Sequence, residues 1–441
     1  MKDSAFDVAV IGGGPAGICA AAQAARAGAK TLLVEKTGLL GGQMTTAGVN
    51  FPAQFHARGT QVIAGIGWDL VARAIELAGD EVPEFVPDTD DRRLPRHFRI
   101  NIPVFAALAD ECVLESGATI LFHTMPAVVW AKARDWTMTL CGKEGLDDVM
   151  AKQIVDCTGD ANAAQLVGCD VVRHDELQPG TIVAHGAGYR FEDLDMDAIE
   201  SAAAEAIERG EVRIEDFGWS DPPARTWLRS YGGNRTHICD VDAETSEGKT
   251  EAEIEGRRAL MRLYRFFRSQ PGLENFRFTN VAPECGIRET VTIRGRKTIT
   301  LDDYEKGKTW DDAVCYSFYP IDLHLPHGIE GRGLEAGVLP TIPRGAMLPE
   351  DIEDVIVAGR AIAGDRLANS AYRVQATCMA TGQAAGAMAA LAAERDCDAE
   401  ALPMPDIHDL LREHGAIIPG EPEHGARGGG EPAGESAPLG R

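Results

Sequence analysis

A glycine-rich turn near the start of the chain, Gly12-Gly13-Gly14-Pro15-Ala16-Gly17, restricts the fold more than any other feature of the 441 residues. Phe6 to Ile11 (FDVAVI) precedes it, a short apolar run that suits a buried parallel strand. An alanine-rich stretch from Ile18 to Ala27 follows, with Gly28 placed to stop a helix. Thr31 to Val34 then supplies a second strand ending at Glu35. Strand, glycine turn, helix, strand and acid form the context in which G-x-G-x-x-G signifies dinucleotide binding; a turn that merely packs well is the bland alternative. Gly12 allows the tight turn, Gly14 leaves room for a pyrophosphate, and Gly17 lets the helix close on the strand. Pro15 and Ala16 complete the turn, and the helix N-terminus that follows presents free N–H groups and a partial positive charge to the phosphates. Glu35 can accept hydrogen bonds from both ribose hydroxyls, and its charge repels a 2′-phosphate. A second glycine pair, Gly41-Gly42, precedes Gln43, and its backbone amides could approach a planar ring; a plain surface turn is the competing interpretation.

Taken together, GGGPAG, the Glu35-Lys36 pair and the Leu-Gly-Gly at 40–42 resemble the FAD-dependent oxidoreductases of the two-dinucleotide-binding-domain flavoproteins, the glutathione reductase and fumarate reductase-like superfamily. Further matches are IVDCTGDA (Ile154 to Ala161), CGIRETVTIRG (Cys285 to Gly295), YPIDLH (Tyr319 to His324) and the closing segment Val357 to Ala392. The resemblance implies an α/β fold: a Rossmann-type FAD-binding domain with a parallel sheet and a β-meander, plus an α+β substrate domain. It implies cofactor contacts at Gly12, Gly14, Pro15, Ala16, Gly17, Glu35, Lys36, Gly41, Gly42 and Gln43. Gly159, Asp160, Gly359 and Arg360 join them, with backbone near Ala127 or Val128 at the adenine and the amides of Ala376 and Thr377 at the flavin. Asp160 has a second interpretation, as the cap of a helix from Asn162 onward. No histidine lies between Gly41 and Gly48, so the FAD should be noncovalent. One departure stands out. The family usually carries two arginines after R-E-T, whereas this chain has Val291 and Thr292, with Arg294 and Arg296 displaced. That implies a different substrate or a remodelled site.

Along the chain, residues 1–165 and 341–395 should form the FAD-binding domain, with 51–100 inserted over the flavin. Residues 166–340 should form the substrate domain, with helices near Asp197 to Arg209 and Thr250 to Ser269 and strands around 276–301 and 314–323. Residues 396–419 read as a C-terminal extension. The Gly-, Pro- and Glu-rich tail 420–441 has no apolar periodicity and is expected to be disordered.

Composition narrows the classes further. Lys plus Arg number 43 against 68 Asp plus Glu, and the net charge of −25 argues against general nucleic-acid or anionic-membrane binding. Ten scattered cysteines include no C-x-x-C pair, which disfavours zinc ribbons and iron–sulfur clusters, so no metal is expected. Neither an export signal nor a membrane span is evident, and a cytoplasmic location is the expectation.

Two residues are the candidates for chemistry on substrate. Arg288 can bind a carboxylate bidentately, or it forms a structural salt bridge with Glu284 or Glu289. His324, beside Asp322, can act as general acid or base, or it is a core or surface histidine. Tyr319 and Arg373 are weaker candidates. The resulting expectation is hydride transfer between a small organic substrate and FAD. A flavin-dependent isomerase, lyase or transferase, or a flavin subunit of an electron-transfer complex, are the rivals. A separate electron carrier and a second copy of the chain are the partners left open.

Overall fold

A computed structural model of the chain describes residues 4–85, 98–132 and 135–420. Most of the polar stretch Pro83 to Pro95 and the tail from 421 onward lie outside the described residues.

The opening strand Ala5–Ile11 is flanked on both sides, as its unbroken apolar run requires. It pairs in parallel with Thr31–Val34 and with the far half of Gly145–Asp156, placing Ile11 opposite both Val34 and Asp156. Thr119–Leu121 extends the sheet beyond Thr31–Val34. On the other side, Gly145–Asp156 changes partners along its length. Its first half runs antiparallel to Asp135–Gly142, which pairs with Met125–Lys132, so the meander is continuous with the parallel sheet. Val355–Val357 returns from far downstream and adds in parallel, with Val357 opposite Asp156.

This register positions the site. Three strands end level at one edge of the sheet, and each passes directly into a glycine-containing turn: Gly12 to Gly17, Thr158 to Asp160, and Gly359-Arg360. The crevice outside the carboxyl ends of parallel strands is where such sheets take ligands.

Helix Pro15–Arg26 lies against helix Gln375–Arg395, and both are buried along nearly their whole length. Their alanines and glycines are a packing requirement: a Cβ on Gly382 would overlap the Ala16 carbonyl, and one on Gly386 that of Ala20.

Strands Gly232–Ile238, Gly180–Ala187 and Arg277–Val281 form a second, antiparallel sheet in that order. Helices Met196–Glu208, Pro223–Arg229 and Ser246–Arg268 accompany it, with Phe217, Trp227, Phe267 and Phe276 as a separate aromatic core. The strand zone expected around 276–301 divides here. Arg277–Val281 joins this sheet, whereas Val291–Ile293 pairs with Val171–Arg173 and packs into the same core as the opening helix. Tyr304, Val314, Phe318, Ile321 and Ile342 share that larger core. Among the described residues no helix is long and apolar enough to cross a membrane.

Candidate functional site

A continuous cavity of about 1180 Å³ runs along the strand ends. That exceeds the roughly 300–1000 Å³ of a pocket for one drug-sized molecule and leaves room for a dinucleotide with a small molecule beside it. Gly12, Gly14, Pro15, Ala16, Glu35, Lys36, Gly42, Gln43, Gly159, Asp160, Gly359 and Arg360 line it, and so do Arg288 and His324.

At the glycine turn, Gly12 has φ +100°, and a Cβ there would lie 2.6 Å from the Cys157 carbonyl oxygen. Gly14 is different: a Cβ would meet no atom within 4 Å, because the position opens onto the cavity. Helix Pro15–Arg26 begins at once, with proline at its first position, where no N–H is needed. Gly41 donates its amide to the Gly13 carbonyl at 2.8 Å, folding the second glycine pair back onto the first. Gly17 and Gly41 thus build the turn from below, while Gly42 and Gln43 reach the surface.

Glu35 is buried at the end of its strand. One carboxylate oxygen accepts from the Gly13 amide at 2.6 Å and the other from the Thr37 amide at 2.7 Å, which fixes the group and leaves lone pairs free for further donors. Exposed Lys36 and the segment Thr124-Met125-Pro126 complete this end. Val128 does not. It is 53% exposed on the meander, opposite Thr139 and off the cavity, because the register slips between Pro126 and Val128. Proline has no N–H to give to the ladder, and the irregularity leaves the residues before it facing the cavity.

The middle of the cavity is stitched by buried Asp156. One oxygen accepts from the Thr158 amide and hydroxyl at 2.9 and 2.7 Å, the other from the Ala164 amide at 2.8 Å. Asp160 does not cap the following helix; the Thr158 hydroxyl accepts from the Asn162 amide at 2.9 Å instead. Asp160 accepts from Thr290 at 2.8 Å and pairs with Arg360. Arg360 also donates to the carbonyls of Gly159 (2.7 Å) and Ile287, so it ties three segments together.

At the closing helix, the Ala376 amide is spent on the Pro52 carbonyl at 2.9 Å, and the buried Thr377 hydroxyl meets Ser317 at 3.1 Å. The cavity is faced by Val374, Gln375 and Cys378. The helix starts at Gln375, and positions 375 and 378 share a face.

The far end is a polar chamber. Arg288 is 8% exposed, donates to the Pro179 carbonyl at 2.6 Å and meets His237 Nε2 at 3.3 Å. It pairs with neither Glu284 nor Glu289; Glu289 bonds Arg366 at 3.2 Å. His324 Nε2 lies 3.3 Å from the Asp322 carboxylate, and its Nδ1 is buried with no hydrogen-bond partner. Burial, reinforced by Arg288, pushes the His324 ring down to about 4 against the pull of Asp322. His237, packed at a tilt against Trp219 with ring centres 4.2 Å apart, is likewise held well below its ordinary value by burial, Arg288 and His324. Burial alone would raise the Asp322 carboxyl, but His324, Arg373 and Arg288 hold it below its usual range. Arg373 donates to Gln178 Oε1 at 3.2 Å, while its Nε and the Gln375 side-chain oxygen are buried without partners. Asp322, Arg373, Gln178 and His237 are functional candidates that sequence reasoning left aside or ranked low. Polar residues next to YPIDLH were the one local signal; His237 lies in a strand with none.

Comparison with known proteins bears on what such a cavity holds. The model of the FAD dependent oxidoreductase family matches residues 7–411. The mitochondrial dihydrolipoyl dehydrogenase of Schizosaccharomyces pombe is 36% identical over 77 residues, 18% of this chain; the match spans 15% of that relative's length. Among solved structures, a geranylgeranyl bacteriochlorophyll reductase-like protein from Thermoplasma acidophilum is 12% identical, covering 93% of this chain and 84% of that one, with a TM-score of 0.43. The anhydrotetracycline hydroxylase OxyS of Streptomyces rimosus is 15% identical over 92% of this chain and 64% of its own, with a TM-score of 0.44.

Proposed function

Because the chain belongs to the FAD-dependent oxidoreductase family, we propose that it moves a hydride between a small organic substrate and noncovalently held FAD. The observation that carries the proposal is the single cavity joining the glycine turn and Glu35 to the chamber of Arg288, Asp322, His324 and Arg373. The residues present fit the cofactor. Open space at Gly14 suits a pyrophosphate, fixed Glu35 suits a ribose diol, and the unpartnered Gln375 oxygen lies at the closing helix.

When bound, FAD supplies the two-electron chemistry that side chains lack. Gly12 to Gly17 and the helix start would hold its phosphates, Glu35 its ribose, and Thr124 to Pro126 its adenine end. Arg360 and Asp160 are positioning residues that hold the Thr158 turn against Ile287. In the chamber, His324 is neutral at working pH with Nε2–H toward Asp322, so it orients that partly exposed carboxylate, which is the acceptor that faces the cavity. The substrate unit in this account is the antiparallel sheet with its helices, and 291–340 goes with the FAD-binding core.

Anaerobic mixing tests this reading. A productive substrate should bleach the absorbance near 450 nm stoichiometrically. Substrate conversion without bleaching would favour an isomerase or lyase, and flavin bleached only through a co-purifying partner would favour an electron-transfer subunit.

A further inference from the structure

Two guanidiniums border the chamber, and they are not equivalent. Arg288 is almost fully buried, and its nitrogens are engaged by the Pro179 carbonyl and by His237. Arg373 is half-buried on the cavity wall, donates to Gln178 and keeps a buried Nε without a partner. Near it the Asp322 side chain remains 28% exposed, with His324 behind it at 3.3 Å. Gln178 Oε1 accepts from both Arg373 Nη2 and the His324 amide, each at 3.2 Å, which holds the three groups together.

Resting on the redox reading above, we propose that Arg373 anchors a carboxylate of the substrate and Asp322 accepts its hydroxyl, so that the substrate is a hydroxy acid. The charges favour an anion. Arg288 and Arg373 face Asp322, and Arg235 is a further cation on the cavity wall beside His237. Glu289 is taken up by Arg366 and Asp160 by Arg360. A zwitterion would leave the surplus positive charge uncompensated. Arg288 is then a positioning residue that holds His237 in place and keeps Asp322 ionised.

Calorimetric titration under nitrogen of protein whose bound FAD has first been reduced provides the test, since reduced flavin takes no hydride from a substrate; the probes are lactate and mandelate, their primary amides, their deoxy acids and alanine. One hydroxy acid should bind tighter than its amide by about tenfold or more, as a charge-assisted hydrogen bond requires. It should also bind tighter than the deoxy acid and alanine. Arg373→Met should erase the acid-over-amide preference, and Arg373→Lys should restore part of it, both with wild-type FAD content. Equal binding of acid and amide by the wild-type protein overturns the proposal without any variant. So does tighter binding of alanine, or a preference that survives Arg373→Met. Protein that holds no flavin, or flavin that no substrate reduces, would instead defeat the redox reading, because the titration reports binding alone.

Discussion

Glu35 divides its two oxygens between the Gly13 and Thr37 amides, so it orders the glycine turn and presents its remaining lone pairs to a ligand at the same time. Glu35→Ala should therefore weaken FAD binding by about 10- to 100-fold, since hydrogen bonds to a charged group are worth roughly 1.5–3 kcal/mol. Fluorescence titration of flavin-stripped protein checks this; unchanged affinity would remove Glu35 from the site. At this scale legibility depended on whether backbone geometry dictates the residue. The glycines and Glu35 could be read because few alternatives satisfy a strand end, a tight turn and a helix start together. Arg288 could be read as important, but not as already engaged by Pro179 and His237. Those partners lie 109 and 51 positions away, and no local pattern encodes them. Val128 failed for a related reason: the slip after Pro126 that turns it off the cavity is a property of the strand pairing.

The two packed helices carry the element-scale argument. Pro15–Arg26 and Gln375–Arg395 touch along glycines whose Cβ atoms would overlap backbone carbonyls, so the crossing has no room for a larger side chain. Gly382→Leu should destabilise the protein by at least about 3 kcal/mol, the upper part of the overpacking range, with flavin lost in parallel because the same helix start borders the cavity. Urea unfolding followed by circular dichroism reads the first effect, and retention of the yellow chromophore through desalting reads the second. A loss of stability with full flavin retention would separate the crossing from the site. Both helices were visible in the sequence, as were the opening strands, because uninterrupted small or apolar runs bounded by glycine admit few other structures. Strands Gly180–Ala187 and Gly232–Ile238 were not. GTIVAHGA and GGNRTHI contain glycines and polar residues, and their pairing, with a bulge between Ile182 and Ala184, goes with a small core in which Ile182, Ala184 and Ile238 pack with Ala252, Leu260 and Ile287.

Across the whole molecule, buried histidines should govern stability just below neutral pH. His237 and His324 are held neutral in the folded protein, and His185 and His414 are shifted in the same sense by burial. In the unfolded chain each titrates near 6.5, so the unfolded state binds more protons as the pH falls through that value. The stability these groups contribute is thus complete above about pH 6.5 and is lost toward pH 4, where His324 itself protonates. For His324 the difference amounts to roughly 3 kcal/mol. The urea midpoint should fall between pH 7 and 5, a range above most carboxylate titration, and His324→Gln should flatten that fall. A midpoint independent of pH across this range would contradict the burial of charge-free histidines. The same low value predicts that substrate oxidation shows no inflection near pH 6.5, because His324 stays neutral beside Asp322 down to about pH 5.

Three strand ends and one helix start should clasp a single FAD without a covalent bond. Acid precipitation of the flavin-reconstituted protein, with the supernatant assayed for FAD, tests it most directly. The account predicts one FAD released per chain. Absence of bound flavin, or flavin that stays with the precipitate, would contradict it.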